Sequence, residues 1–155
     1  MTATTDSALA ADRELVVTRT FDAPRALVFA AWTNPEHLVR WWGPKGFTTP
    51  SCAMEVRPGG GFRTVMRSPE GTVHRLRGRY REVVPPERLV FTFAWEDEAG
   101  RPGHETLVTV TLAEAGGKTR LTLHQAVFER VESRSSHHEG WRECLDRLAA
   151  FLAPR

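Results

Sequence analysis

The sequence of 155 residues lacks the features that mark several large classes of protein. Its two cysteines, Cys52 and Cys144, are too few for a disulfide framework or a four-ligand zinc site. No apolar run approaches the length of about 18 residues that a membrane-spanning helix needs. The 21 basic and 19 acidic residues nearly balance, which excludes the strongly basic surface of a dedicated nucleic-acid-binding domain. Nucleophile-elbow, phosphate-loop and dinucleotide-binding motifs are also missing.

What is present fits one ordinary globular domain. A content of 41% hydrophobic and 26% charged residues is close to the globular average and rules out wholesale disorder. The small, polar start predicts a disordered N-terminal segment at residues 1–12, followed by a single domain at 13–153. Because that start has neither a basic segment nor a long apolar stretch, we expect no secretory signal and a cytoplasmic protein with reduced thiols.

The hydrophobic pattern predicts one strand, two short helices, six further strands and a long terminal helix. Asp22 is the expected N-cap of the first helix, and Asn34-Pro35 begins a second helix that ends at Gly43-Pro44. The strands, separated by Gly- and Pro-containing turns, predict an antiparallel meander. Their expected bounds are Glu14–Phe21, Phe47–Val56, Phe62–Arg67, Thr72–Val84, Arg88–Trp95, Glu105–Leu112 and Lys118–Val127.

The last segment changes to helical spacing. An apolar stripe recurs every three or four residues at His138, Trp141, Leu145, Leu148 and Leu152. The run Ser136–Glu139 matches a capping box, so we expect the helix to begin there. Gly140 within it costs about 1 kcal/mol relative to Ala, which suggests either close backbone approach or space left for something else. Burying this stripe on the sheet predicts an α+β fold with a cavity between helix and sheet.

Four short motifs carry a family resemblance. They are Phe21-Asp22-Ala23-Pro24, Trp32-Thr33-Asn34-Pro35-Glu36, Trp41-Trp42-Gly43-Pro44 and Gly140-Trp141. With the order of elements, they resemble the START-like (SRPBCC) superfamily, in the branch of the activator of heat-shock protein 90 ATPase homologue. The resemblance implies a helix-grip fold, in which a curved antiparallel sheet of about seven strands wraps round the terminal helix and encloses a deep apolar cavity. Relatives bind lipids, sterols, hormones or polyketides, and some are cyclases or other enzymes.

Strand alternation and helical spacing predict which residues face the cavity. The expected ligand-binding residues are Trp42, Phe47, Phe62, Met66, Leu76, Tyr80, Phe91, Phe93, Trp95, Trp141 and Leu145. Each of them is equally compatible with a role in the core alone. Gly78 shares a face with Tyr80 and is expected to leave space beside it. Adjacent residues on a helix point about 100° apart, so we expect only one of Trp41 and Trp42 in the core and the other at the cavity mouth.

These residues favour a non-catalytic protein that binds a small hydrophobic or amphipathic molecule, without a metal or cofactor. A cyclase or dehydratase would need titratable groups inside the cavity, and the candidates are His74, Tyr80 and His124, of which the last two would form an acid–base pair. The run His137-His138-Glu139 diverges round a helix and has no partner ligands at metal-binding spacing. Cys52 and Cys144 are expected to be small core thiols.

A row of arginines alternates along one predicted strand. Arg75, Arg77, Arg79 and Arg81 share a face and predict a solvent-covered outer surface, partly neutralised by Glu96-Asp97-Glu98. The alternatives are an anion-binding patch or a docking surface for a protein partner, such as a chaperone. The second helix offers few polar groups to a DNA groove, so we expect no nucleic-acid partner. The sequence is compatible with a monomer or a homodimer.

Overall fold

Seven antiparallel strands form one sheet in a computed structural model that describes residues 13–153. The expected disordered segment, residues 1–12, lies outside the described residues. In the sheet order β1-β7-β6-β5-β4-β3-β2, each strand from β2 to β7 pairs with its neighbour in sequence, which confirms the predicted meander. The strands are β1 Leu15–Phe21, β2 Thr48–Met54, β3 Gly61–Arg67, β4 Val73–Val84, β5 Arg88–Trp95, β6 Thr106–Ala115 and β7 Lys118–Ala126.

Two short helices connect β1 to β2. Helix α1 spans Arg25–Thr33 and α2 spans Pro35–Leu38. The N-cap of α1 is Pro24, so the prediction of Asp22 as its cap is wrong. Asn34 caps α2 as expected, because its side chain accepts a hydrogen bond of 2.9 Å from the backbone N–H of Glu36. None of the helices in the described part of the chain combines the length and hydropathy of a membrane span.

The terminal helix, α3, spans Val131–Leu152 and therefore begins before the predicted start at Ser136. The capping-box prediction is wrong, since Ser136 lies inside the helix and its hydroxyl donates to the carbonyl of Ser133. Tertiary contacts support the added turns. The guanidinium of Arg134 donates a 2.9 Å hydrogen bond to the backbone carbonyl of Glu14, just before β1. This contact fixes the first turns of the helix against the sheet.

The turn after α2 places two adjacent tryptophans in the core. Trp41 is fully buried and Trp42 is 4% exposed, so the expectation that one of them leaves the core is wrong. Helix α2 ends at Leu38, before the predicted end at Gly43-Pro44, so both tryptophans lie in the turn that follows it. The indole of Trp41 donates to the carbonyl of Ala31, and that of Trp42 donates to the hydroxyl of Thr64. Each buried N–H therefore has a partner, which makes the burial favourable.

Gly78 on β4 does not leave space beside Tyr80. A Cβ atom at this position would lie 1.8 Å from the carbonyl oxygen of Thr92 and 2.5 Å from the ring of Phe62. The ring of Phe62, which faces Gly78 in the register of β3 and β4, occupies the space that a side chain would need. The glycine is thus required by close packing between strands.

We predict that Gly78→Ala destabilises the protein by about 2 kcal/mol or more, because the added methyl group must displace backbone. Gly61→Ala is the matched control, since a Cβ there would meet only the Gly78 carbonyl at an ordinary 3.7 Å. Urea unfolding of both variants measures the difference. Equal stability of the two variants would contradict the packing described here.

Candidate functional site

A cavity of about 370 Å³ lies between α3 and the sheet. Three parts of the fold form its wall. Within residues 13–153, the lining residues are Trp42, Gly43, Pro44 and Phe47 from the turn before β2; Met66, His74, Leu76, Phe93 and Trp95 from β3, β4 and β5; and Ser136, His137, Gly140, Trp141 and Cys144 from α3. The cavity is therefore bounded by elements that are distant in sequence.

Seven of the eleven residues predicted to face the cavity line it: Trp42, Phe47, Met66, Leu76, Phe93, Trp95 and Trp141. Phe62, Tyr80 and Phe91 lie elsewhere, around a smaller inner cavity of about 20 Å³. Trp42 lines both cavities and so stands between the two groups of predicted residues. Leu145 lines neither cavity and is fully buried in the core.

The surroundings of Gly140 decide between the two explanations of this glycine, which are close backbone approach and space left for another group. A Cβ atom there would meet no atom closer than the ring of Pro44, at 3.8 Å. The glycine therefore leaves space on the cavity side of α3 and does not serve a close backbone approach. Its neighbours His137 and Cys144 on the same helix face were not among the predicted cavity residues, although their spacing of three and four residues from Gly140 places them on that face.

One arginine on α3 holds the turn that carries Trp42 and Phe47. The Nη1 atom of Arg147 donates to the carbonyls of Trp42, Gly43 and Pro44 at 3.1, 3.0 and 3.2 Å. Gly43 has φ +102°, a left-handed conformation that suits glycine and allows these carbonyls to converge. Sequence reasoning missed Arg147, since it does not belong to the apolar stripe.

A second bond joins α3 to the sheet at the cavity wall. The indole N–H of Trp95 donates a 2.9 Å hydrogen bond to Nε2 of His137. The Nδ1 atom of His137 lies 2.7 Å from the carbonyl of Ser133, which can only accept, so Nδ1 carries the proton. Burial lowers the pKa of His137, and the bond to Ser133 opposes this effect in part. The imidazole is thus held neutral, with both nitrogens hydrogen-bonded.

The three candidate acid–base residues are not brought together. His124 lies beside Glu14, with 3.4 Å between Nε2 and the carboxylate, and its side chain is 42% exposed. Tyr80 is buried beside the inner cavity, and burial raises the pKa of its hydroxyl. His124 shares neither cavity with Tyr80, so the proposed pair of these two residues is wrong. Only His74 lines the main cavity.

No group of three or more His, Cys, Asp or Glu in the described chain is placed to hold a metal ion. Cys144 is buried, as expected of a core thiol, and burial raises its pKa to about 12. Cys52 is only half-buried, and its pKa is raised to about 11 for the same reason. Neither thiol is therefore ionised near neutral pH, which makes both poor nucleophiles.

The arginine row lies away from the cavity. Arg75, Arg79 and Arg81 are exposed, whereas Arg77 is half-buried. Arg77 lies directly opposite Arg63 in the register of β3 and β4. The side chain of Glu96, only 1% exposed, accepts two hydrogen bonds from Arg63 and lies 3.7 Å from Arg77. This carboxylate relieves the repulsion between the two paired arginines. Docking of a protein partner on this surface stays a prediction.

Solved structures of other proteins share this fold. An AHSA1 protein from Silicibacter pomeroyi is 30% identical over 88% of this chain and 95% of its own, with a TM-score of 0.80. A protein from Chromobacterium violaceum is 30% identical over 92% of this chain and 99% of its own, with a TM-score of 0.80. An Arthrobacter aurescens protein solved by NMR is 29% identical over 92% of this chain and 87% of its own, with a TM-score of 0.81. No curated protein matches the chain.

The sequence also matches a family model over residues 22–153, which includes α1, α2, six of the seven strands and α3. The family is described as activator of Hsp90 ATPase homolog 1-like protein. This match confirms the resemblance to the START-like superfamily and its helix-grip fold. The chain therefore belongs to the activator of Hsp90 ATPase homolog 1-like family.

Proposed function

We propose that this protein binds a small hydrophobic or amphipathic molecule in the cavity between α3 and the sheet. The observation that carries the proposal is a volume of about 370 Å³ lined by five Trp and Phe side chains, two His, Met66 and Leu76. Binding sites for small molecules are typically about 300–1,000 Å³ and mostly apolar. The volume and the apolar lining of this cavity fall within that range and so support a binding role.

Apolar burial would supply the affinity. Removing apolar surface from water contributes roughly 25 cal/mol per Å², and a ligand within this cavity would be covered on several sides by aromatic rings. The walls are also fixed before a ligand enters, because Arg147 ties the turn to α3 and His137 ties α3 to Trp95. Little ordering of side chains is then needed on binding, which favours affinity.

We predict that a neutral two-ring dye, N-phenyl-1-naphthylamine, binds saturably and that Gly140→Phe abolishes the binding. The new ring would project from α3 into the space that a ligand needs. Fluorescence titration of the dye measures both results.

Gly140→Ala is the matched control. Its methyl group makes only an ordinary contact with Pro44, so dye binding should persist. The alanine should also stabilise the helix by up to about 1 kcal/mol. If a folded Gly140→Phe variant binds the dye as well as the alanine variant does, the cavity is not the binding site.

We predict that Arg147→Met weakens dye binding and lowers the free energy of unfolding by about 1–3 kcal/mol, because carbonyls of the turn lose a charged donor. Arg142→Met is the control on the same helix. The Arg142 side chain is exposed, and its Nη1 atom lies 3.8 Å from the carboxylate of Glu139, which is a weak surface ion pair. Urea unfolding and dye titration compare the two. Similar effects from both substitutions would show that the turn does not depend on Arg147.

We predict that the free energy of unfolding decreases as the pH is lowered below about 6.5, the ordinary pKa of histidine, in part because of His137. Its pKa is lowered in the folded protein, so the unfolded chain binds a proton first and acidification favours unfolding. The contribution of neutral His137 to stability is complete above the pKa of this histidine in the unfolded chain. It is lost as the pH falls toward the pKa of His137 in the folded protein.

His137→Gln should reduce this pH dependence, since glutamine does not titrate and its side-chain oxygen can still accept a hydrogen bond from Trp95. Melting temperatures at about pH 7.5 and about pH 5.5, on either side of the ordinary histidine pKa, measure the effect. His138→Gln serves as the control. An unchanged difference between the two pH values in His137→Gln would contradict the role assigned to His137.

A further inference from the structure

The polar groups in the cavity wall are almost all engaged within the protein. The three indole N–H groups of the wall donate to other residues: Trp42 to Thr64 at 3.2 Å, Trp95 to His137 at 2.9 Å and Trp141 to Gln125 at 2.7 Å. A buried N–H that already donates has no second hydrogen to offer. These tryptophans therefore present only apolar ring surface to a ligand.

The remaining polar groups are largely used as well. Both nitrogens of His137 are hydrogen-bonded, and the carbonyls of Gly43 and Pro44 accept from Arg147. The thiol of Cys144 donates to the carbonyl of Trp41. The hydroxyl of Ser136 donates to a carbonyl of its own helix, which leaves it only as an acceptor.

His74 is the exception among the described lining residues. Its imidazole makes ring contacts with Phe47 and Trp95, at centroid distances of 5.6 and 6.2 Å. It makes no hydrogen bond or ion pair within residues 13–153. A neutral imidazole carries one donor and one acceptor nitrogen, so His74 keeps its full hydrogen-bonding capacity for a ligand.

The same lining excludes charged groups. None of the described residues around the cavity is Asp, Glu, Lys or Arg. Transferring an ionised group into such a site without a partner charge is costly, so the wall selects against carboxylates and ammonium groups.

We propose that His74 is the polar recognition residue of the cavity and that its ligand is an uncharged aromatic molecule of two or three rings with one hydroxyl group. This inference rests on the proposed binding function. A hydroxyl both donates and accepts, so it pairs with either nitrogen of His74. An apolar cavity of about 150 Å³ accommodates benzene, so about 370 Å³ provides room for two or three rings. The aromatic wall offers stacking and edge contacts to such rings.

Three related probes test the proposal by displacing N-phenyl-1-naphthylamine at about pH 7.5, where a carboxylic acid is ionised. They are 2-naphthol, naphthalene and 2-naphthoate, which share two fused rings and differ in one substituent. We expect 2-naphthol to bind about three- to tenfold more tightly than naphthalene, the gain that one hydrogen bond gives, and 2-naphthoate to bind most weakly.

His74→Phe should remove the preference for 2-naphthol and leave the affinity for naphthalene within about twofold, since a ring still packs against Phe47 and Trp95. His138→Phe, at a position outside the cavity lining, should keep the preference. The comparison of probes on the unaltered protein tests the same inference without depending on the folding of either variant.

Equal binding of 2-naphthol and naphthalene to the unaltered protein would overturn the role of His74, while the binding function would stand. Tightest binding of 2-naphthoate would overturn the uncharged class of ligand. A preference for 2-naphthol that survives in His74→Phe would assign recognition to another group. If the dye itself does not bind, the proposed function fails, and this inference fails with it.

Discussion

The cavity depends on where the turn after α2 is held, and one guanidinium fixes that position. Arg147 reaches from α3 to the carbonyls of Trp42, Gly43 and Pro44, and the hydroxyl of Thr49 on β2 also donates to the Trp42 carbonyl. These groups anchor the turn to a helix and to a strand at once. Because Trp42 and Phe47 flank the anchored carbonyls, the position of both aromatic side chains in the wall follows from this contact.

A second contact, between His137 on α3 and Trp95 on β5, helps to explain why the helix leaves a cavity between itself and the sheet. His137 and Arg147 are ten residues apart on α3, which is roughly 15 Å along a helix. One meets Trp95 on β5 and the other meets the turn before β2. Between them, α3 presents Gly140, Trp141 and Cys144 to the cavity, and Gly140 and Cys144 are too small to fill it. Hydrogen bonds at His137, at Arg147 and, between them, from Trp141 to Gln125 on β7 thus hold α3 in place, while Gly140 and Cys144 leave space beside the sheet.

The sequence predicts the sheet well, because alternation and Gly- or Pro-containing turns are local signals. It predicts the cavity wall less well, since membership depends on long-range placement. Phe62 and Phe91 have the inward direction that alternation predicts, yet the indole of Trp42 separates them from the main cavity. The predicted start of α3 at Ser136 is wrong for a similar reason, because the contact between Arg134 and Glu14 outweighs the cap-like motif. Contacts of this kind join residues that are far apart in the sequence, so no local sequence pattern predicts them.

The wall residues differ in how closely their proposed binding role is tied to stability. The indole of Trp141 satisfies Gln125, which is fully buried and in turn donates to Thr106, so removing that indole would leave buried polar groups unpaired. The indole N–H of Trp42 likewise donates to the hydroxyl of Thr64, which is also buried. His74 and Gly140 carry no such hydrogen bond, and changes there alter what the cavity accepts with little effect on the network that holds it. Under the proposed function, selectivity would therefore vary at these two positions while the tryptophans keep the fold intact.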